Sequence, residues 1–282
     1  MLRIFTSTIL DGNMNTDKKF YPKDMDKEII KNNFKLRREL LGIVNGFDGL
    51  KIITPIQKQR PNLDEKTSDE QLELVIKYNT SYPDGHYVRI NKEMIDGYED
   101  LYDLDIHSDI LMIDDSLPRI ALAYPVADSP VIFAEDKINN VVAMAHCGGE
   151  YIDRELPIQL IEALRQETDI LPECINVYVG PHAKKENYTY DCYPKFIQNP
   201  NNWKDAVIEG KDKLLHINMD KAILDQLYKQ NIHLDNIEIS DVDTVTNSMF
   251  YSNNAGRFNK NKQGRFYEGC FFEDIRLKIK RK

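Results

Sequence analysis

The stretch VADSPVIFAEDKINNVVAMAHCGGE, residues 126–150, contains two apolar runs, VIFA and VVAMA, joined by a polar turn. Short apolar runs bounded by turn residues are typical of buried β-strands. Asp128 and Ser129 precede the first run, and His146 and Cys147 follow the second. The stretch therefore predicts a β-hairpin with polar strand ends, and it raises the question whether those ends meet and form a site.

Similar short apolar runs lie on both sides of this hairpin, at residues 110–113, 120–124 and 175–179. Their continuous apolar character is typical of strands that are covered on both faces. Residues 154–168 and 221–230 instead repeat apolar side chains with the period of a helix, and Asp220 is the expected cap of the second helix. Strands outnumber helices without strict alternation, which predicts a mixed α/β fold of the α+β kind, with mixed β-sheets flanked by helices.

The N-terminal part of the chain is more polar than this central region. It opens with a short apolar run that predicts a first strand, and residues 22–40 place apolar residues on one helical face. Residues 55–71 have the composition of a loop, and residues 72–78 indicate a strand. None of these N-terminal segments carries a recognisable functional motif.

The length and composition limit the classes of protein to which the chain can belong. Its 282 residues suit one large domain, and we expect a single domain over 1–282. The formal net charge of −9 disfavours nucleic acid or an anionic membrane as a partner. No apolar run approaches the roughly 20 residues that a membrane helix needs. Four scattered cysteines without metal-ligand spacing favour a reducing, cytoplasmic environment.

Well-known catalytic and phosphate-binding motifs do not occur in the chain, so polar residues at strand ends are the remaining candidates. His86 follows a turn, Ser129 precedes Pro130, and a histidine or serine in such a place is most often structural. His182 follows a strand and has the same ordinary interpretation. His146 is the stronger candidate, because two glycines follow it and would let a ligand approach the backbone closely.

Taken together, these segments resemble the YfiH/laccase-domain family, whose members are also described as multicopper polyphenol oxidases, purine nucleoside phosphorylases or peptidoglycan editing factors. The family pattern has one strand ending in T-A-D-C-x-P-V and another ending in H-A-G-W-R-G. Residues 127–131 match the first box, and residues 146–149 match the second in part. YVGPHAKKENYTYD and FYSNNAGRFNKNKQGRF resemble two later family segments. The likeness covers residues 85–270, whereas residues 1–80 diverge from the family pattern.

The resemblance implies a zinc ion held by two histidines and a cysteine, in a surface pocket where a nucleoside-like small molecule binds. Carried over, His86 and His146 are the histidine ligands and Ser129 stands at the cysteine position. Cys147 could supply the missing thiolate, but neighbours in an extended chain point to opposite faces. Asp128 would orient a ligand or act as a base.

Several residues depart from the family pattern. A serine hydroxyl is a poor zinc ligand compared with thiolate, imidazole or carboxylate. The tryptophan and arginine of G-W-R-G are missing, and asparagines stand where the family has paired arginines. Arg257 or Arg265 would then bind the substrate, together with His182, and Arg265 matches the family's terminal arginine better. Fewer cations would weaken the binding of a phosphate or another anion.

Three interpretations stay open at this point. The first is a divergent zinc-dependent enzyme of the purine nucleoside phosphorylase or deaminase type. The second is a non-catalytic family member that binds a small ligand, or that assembles with a protein partner or a second copy of itself. The third is metal-free hydrolysis with Ser129 as nucleophile and His146 as base, since the family fold resembles the catalytic domain of cytotoxic necrotizing factor.

Overall fold

The computed structural model describes residues 1–14, 36–37, 50–55, 87–96, 101, 106 and 108–273. Residues 36–37, which are helical, and residue 55 belong to predicted segments that are otherwise outside the described residues: the helix at 22–40, the loop at 55–71, the strand at 72–78 and His86. In chain order, the strands are β1 (Leu2–Thr6), β2 (Lys51–Ile53), β3 (Tyr87–Arg89), β4 (Ile110–Asp114), β5 (Ile120–Val126), β6 (Val131–Asp136), β7 (Val141–His146), β8 (Ile175–Val179), β9 (Thr189–Tyr190), β10 (Val207–Glu209), β11 (Leu215–Ile217), β12 (Ile237–Ile239) and β13 (Phe266–Phe272). The α-helices are α1 (Lys92–Ile95), α2 (Gly149–Asp153), α3 (Leu156–Thr168), α4 (Met219–Lys229) and α5 (Asn253–Gly256).

The described strands form three sheets. A six-stranded sheet has the order β12-β8-β6-β7-β4-β3, a four-stranded sheet has the order β1-β13-β5-β2, and β10, β11 and β9 form a small third sheet. Within the two larger sheets, β12 with β8, β3 with β4 and β2 with β5 are parallel pairs, whereas the other pairs are antiparallel. The sheets are therefore mixed, and the predicted α+β class is confirmed.

The predicted hairpin is β6 and β7, at the centre of the six-stranded sheet. Its register pairs Val131 with His146 at the open end. At the closed end, the Asp136 carboxylate accepts backbone hydrogen bonds from Ile138 and Asn139, at 2.8 and 2.9 Å. An aspartate that binds the backbone two and three residues ahead is a common way to close a turn. The polar residues between the two apolar runs thus fix the hairpin register.

The six-stranded sheet is covered on both faces, which explains its continuous apolar strands. On β7, Ala143 and Ala145 lie in the core that the sheet shares with α3 and α4. Val142 and Met144 lie in a second core, between this sheet and the four-stranded sheet. All four are fully buried. Side chains alternate along a strand, so His146 lies on the same, inter-sheet side of β7 as Val142 and Met144. Because His146 ends the strand, its side chain lies at the edge of the layer between the two sheets.

The two longest helices form where the sequence period predicts them, and α3 begins with Pro157 in its first turn. The expected cap of α4 is wrong, because Asn218 rather than Asp220 accepts the hydrogen bond from the Lys221 amide, at 3.1 Å. The Asp220 carboxylate is already engaged with His182, at 2.6 Å from its Nε2 atom. Among the described residues, no helix is both long and apolar enough to cross a membrane.

Candidate active site at the end of strand β7

His146 lies between two tyrosine rings at the end of β7. Its ring centroid is 6.0 Å from that of Tyr124 on β5 and 6.3 Å from that of Tyr151 on α2. Burial of the imidazole, and after it the positive charge of Arg265, lowers the pKa of His146 from 6.5 to about 4. His146 is therefore neutral at pH 7, and a ring nitrogen can accept a hydrogen bond or bind a metal ion.

Ser129 lies beside the other strand end, as the hairpin predicts. The Cys147 amide donates to the Pro130 carbonyl at 2.8 Å, which ties the two ends together. A Cβ atom added to Gly148 would lie 3.3 Å from the Ser129 hydroxyl, so this glycine lets the serine approach the start of α2. Among the described residues, no hydrogen bond joins the Ser129 hydroxyl to the His146 ring.

Asp128 stabilises the backbone around the site. It has a left-handed φ of 70° and is almost completely buried. One carboxylate oxygen accepts from the Thr244 hydroxyl at 2.8 Å, and the other accepts from the Asn254 amide at 2.8 Å. The Asp128 carbonyl also accepts from the Ala183 amide at 2.9 Å. The structure thus places Asp128 in an internal network that joins three loops.

Cys147 points away from His146. It is fully buried in the core shared with α3 and α4, on the opposite face of the sheet from Val142 and Met144. Burial, followed by the negative charge of Asp109, raises the pKa of its thiol well above the ordinary value. Metal ligation requires the thiolate, so Cys147 does not replace the cysteine that the family has at the Ser129 position.

Asp109 is a site residue that the sequence analysis missed. It immediately precedes β4, whose Ile110 pairs with Ala145, and this places it at the level of His146. The Tyr124 hydroxyl donates to the Asp109 carbonyl at 3.0 Å. Burial raises the pKa of the Asp109 carboxyl to about 6, opposed by the charge of Arg154 and reinforced by that of Glu150. The available signal was an acidic residue directly before a buried strand.

Charged residues of α2 border the same site. Arg154 forms an ion pair with Glu150. The Arg154 guanidinium also lies 5.5 Å from the centroid of the Tyr151 ring, within the range of a cation–π contact. Glu150 stands near the position where the family pattern has an arginine. The cation of Arg154 is therefore present at the site, but it is partly neutralised by its neighbour.

The three residues predicted to bind the substrate have different surroundings. Arg265 donates to the Asn253 side chain at 2.8 Å and is close enough to His146 to lower its pKa. Arg257 is exposed, directly after α5. His182 is fully buried, with Nδ1 donating to the Gly180 carbonyl at 2.7 Å and Nε2 bound to Asp220. The structure therefore brings Arg265 to the site and keeps His182 in the interior.

The donor set of the described residues does not fit zinc. They contain no group of three or more His, Cys, Asp or Glu side chains arranged to hold a metal ion. His146 offers an imidazole, but Ser129 offers only a hydroxyl and the Cys147 thiol faces the other side of the sheet. His86, the other predicted ligand, lies outside the described residues.

Comparison with known proteins agrees with this geometry at the level of the fold. The chain is similar to Bacillus licheniformis YfiH, with a TM-score of 0.70 and 16% identity, over 96% of this chain and 93% of that one. It is also similar to YlmD from Geobacillus stearothermophilus, with a TM-score of 0.67 and 16% identity, over 97% of this chain and 92% of that one. No curated protein matches the sequence. The family model described as multi-copper polyphenol oxidoreductase laccase matches residues 97–273, more than half of the chain. The chain belongs to this YfiH/laccase-domain family, as its sequence motifs predicted.

Proposed function

We propose that this chain is a divergent family member that acts on a purine nucleoside or a closely similar small molecule, with His146 as the central residue of its site. The observation that carries the proposal is the placement of His146 between Tyr124 and Tyr151 at a strand end. Both tyrosines are buried, so their rings hold the imidazole in place at the strand end. A neutral imidazole can accept a hydrogen bond from an amine or a hydroxyl group of a nucleoside.

Nearby charged residues support the same class of ligand. Arg265 lies on one side of His146 and the Arg154–Glu150 pair borders Tyr151. A guanidinium can bind a phosphate or a ribose oxygen. Asp109 is a buried carboxyl at the level of His146, where it can accept or donate a hydrogen bond. Phosphorolysis or deamination of a purine nucleoside would each use such groups.

Zinc belongs to the family resemblance, but this proposal does not depend on it. When bound in such sites, zinc activates a water molecule as a nucleophile. Because the donors of the described residues do not fit zinc, we propose no role for the metal in the reaction. Zinc measured per purified chain, without added metal, decides whether His146 and His86 hold the ion.

The test of the proposal is turnover of adenosine and inosine, with and without phosphate, followed by chromatography of the free base and of the deaminated product. We expect turnover by the natural chain and its loss in His146→Ala, by at least about a hundredfold, because general acid–base groups contribute factors of this size. The matched control is His233→Ala, since His233 is exposed and far from the site in sequence. Equal turnover in both variants would contradict the role of His146.

A second candidate function is non-catalytic binding of the same kind of ligand, or assembly with a protein partner or a second copy of the chain. The serine at the cysteine position favours this non-catalytic function. Without the thiolate, the site could still bind a ligand but would lack a metal ligand that catalysis in the family uses. Adenosine binding without any product, abolished by His146→Ala, would support this candidate over the enzyme.

A further inference from the structure

Glu268 is a carboxyl group in the middle of the protein core. It lies on β13 and is fully buried. The residues two positions before and after it, Phe266 and Cys270, both belong to the core between the two larger sheets. Carboxylates are almost never fully buried in proteins unless another group compensates them. The position of Glu268 therefore requires a physical reason.

That reason lies in the hydrogen bonds at the end of the β6–β8 ladder. The Gly180 amide donates to the Val131 carbonyl at 2.9 Å, which is one half of an antiparallel pair. The other half would join the Val131 amide to the Gly180 carbonyl. Instead, the Gly180 carbonyl accepts from His182 at 2.7 Å, and the Val131 amide donates to Glu268 Oε2 at 3.1 Å. Two side chains thus replace the last bond of the ladder.

The surroundings of Glu268 are matched to its carboxyl group. A Cβ atom added to Gly180 would lie 2.1 Å from Glu268 Oε2, so a glycine is required for space at this position. Tyr124 lies directly across from Glu268 on β5, and Tyr178 on β8 is close enough to sense its charge. Among the described residues, Glu268 Oε1 has no hydrogen-bond partner. Burial raises the pKa of Glu268 well above its ordinary value, against the opposing effect of the Val131 hydrogen bond.

The opened ladder lies next to the candidate site. Immediately before Val131, the chain bends through Pro130 to Ser129, and Val131 is the register partner of His146. A complete ladder would continue the pairing of β6 with the chain that follows β8. The regular ladder ends at Val131, and the next bond between these two segments joins the Ala183 amide to the Asp128 carbonyl at 2.9 Å, with Ser129 and Pro130 in the bend between them.

We propose that Glu268 is a positioning residue of the candidate site: its carboxyl replaces the last β6–β8 hydrogen bond and sets the turn that places Ser129 beside the end of β7. This inference deepens the proposed function and rests on it, because Ser129 and His146 are the residues whose placement it explains. Glu268 is fully buried, and its role does not require contact with the substrate.

The test is nuclear magnetic resonance of the full chain, with ¹⁵N-labelled valine and ¹³Cε1-labelled histidine, in the natural chain and in Glu268→Gln and Glu268→Leu. In the natural chain, the Val131 amide proton should shift with pH, with a midpoint above the ordinary range of glutamate. Glu268→Gln should abolish this titration and leave the His146 signal in place, because an amide oxygen still accepts from Val131. Glu268→Leu should move the His146 signal.

The matched control is Phe272→Leu, on the same face of β13 but at the end of the strand far from Val126. It should leave the His146 signal unchanged. If Glu268→Leu does not fold, Glu268→Thr provides the same comparison, because its shorter side chain cannot reach the Val131 amide. A His146 signal that stays in place when the acceptor is removed would overturn the proposal. No ligand is added, so a failure of nucleoside binding would not alter these outcomes.

Discussion

At the residue scale, one step along β7 separates a site residue from a core residue. His146 follows Val142 and Met144 on the inter-sheet side of the strand, whereas Cys147 lies in the core beneath α3. Adjacent residues of an extended chain face opposite ways, so a thiol next to His146 cannot replace one across from it. The serine at position 129 is therefore not compensated by Cys147, the residue that follows His146.

The position of Ser129 leads to a prediction about metal binding. Ser129→Cys should bind zinc at least about tenfold more tightly than the natural chain, because a thiolate is a much better zinc ligand than a hydroxyl. Competition with a chromophoric chelator at pH 7.5 measures the affinity. Ser129→Ala is the matched control, and adding His146→Ala to the cysteine variant should remove the gain. Equal zinc affinity of the cysteine and alanine variants would show that position 129 does not face the His146 ring.

The sequence predicts only part of this site. The meeting of Ser129 with the end of β7 follows from the hairpin pattern alone. Asp109 was missed because the register of β4 against β7 joins residues far apart in the chain, and no local pattern encodes it. The internal role of Asp128 depends on Thr244, 116 residues away, and the sequence does not reveal such a partner.

At the element scale, the loop that follows Pro194 holds α2 in place through hydrogen bonds and a packing contact. The Asp153 carboxylate, at the end of α2, accepts hydrogen bonds from the Gln198 and Asn199 amides and from the Trp203 indole, at 3.1, 2.9 and 3.0 Å. The Phe196 ring lies so close to Gly149 that an added Cβ atom would lie 2.6 Å from it. The start and the end of α2 are therefore both held by this loop.

Removal of this carboxylate should loosen the loop. We expect Asp153→Ala to lower the free energy of unfolding by roughly 3 kcal/mol, because three hydrogen bonds lose their charged acceptor, one of them from the buried Trp203 indole. Trp203 is the only tryptophan of the chain, so its fluorescence should shift to longer wavelength as the indole meets water. Asp225→Ala, which removes only a partly exposed ion pair on α4, should change stability by less than about 1 kcal/mol. Similar stability of both variants would contradict the bracing role.

The elements with a clear period were predictable, and the short ones were not. The β6–β7 hairpin and α3 follow from alternating turn signals and the 3.6-residue period. The β9–β11–β10 sheet was missed because its strands have only two or three residues, too few for a period. The cap of α4 was predicted at the wrong residue because Asp220 binds His182, a tertiary contact that overrides local preference.

At the scale of the whole molecule, the two larger sheets enclose a core, and the fully buried Glu268 carboxyl lies between its apolar side chains. A raised folded-state pKa means that the folded chain holds the proton more tightly than the unfolded chain does. The resulting stabilisation is fully present below the unfolded pKa of roughly 4.3 and is lost as the pH rises towards the folded value. The natural chain should therefore lose stability over this range.

Glu268→Gln should be free of this loss, because its amide stays neutral. The difference in unfolding free energy between Glu268→Gln and the natural chain should grow in favour of the variant as the pH rises from 4 towards 8. Urea unfolding at several pH values measures it. A difference that stays constant with pH would show that Glu268 is ionised in the folded protein and would remove the physical basis of its burial.

The most direct test of the central claim is a titration of ¹³Cε1-histidine-labelled protein with adenosine and with inosine. The chain has six histidines, and the His146 signal can be assigned with His146→Ala. We predict that the His146 signal shifts in a saturable way while the signals of half-buried His216 and exposed His233 stay in place. A saturating ligand that leaves the His146 signal unmoved would contradict the claim that this residue is the centre of the site.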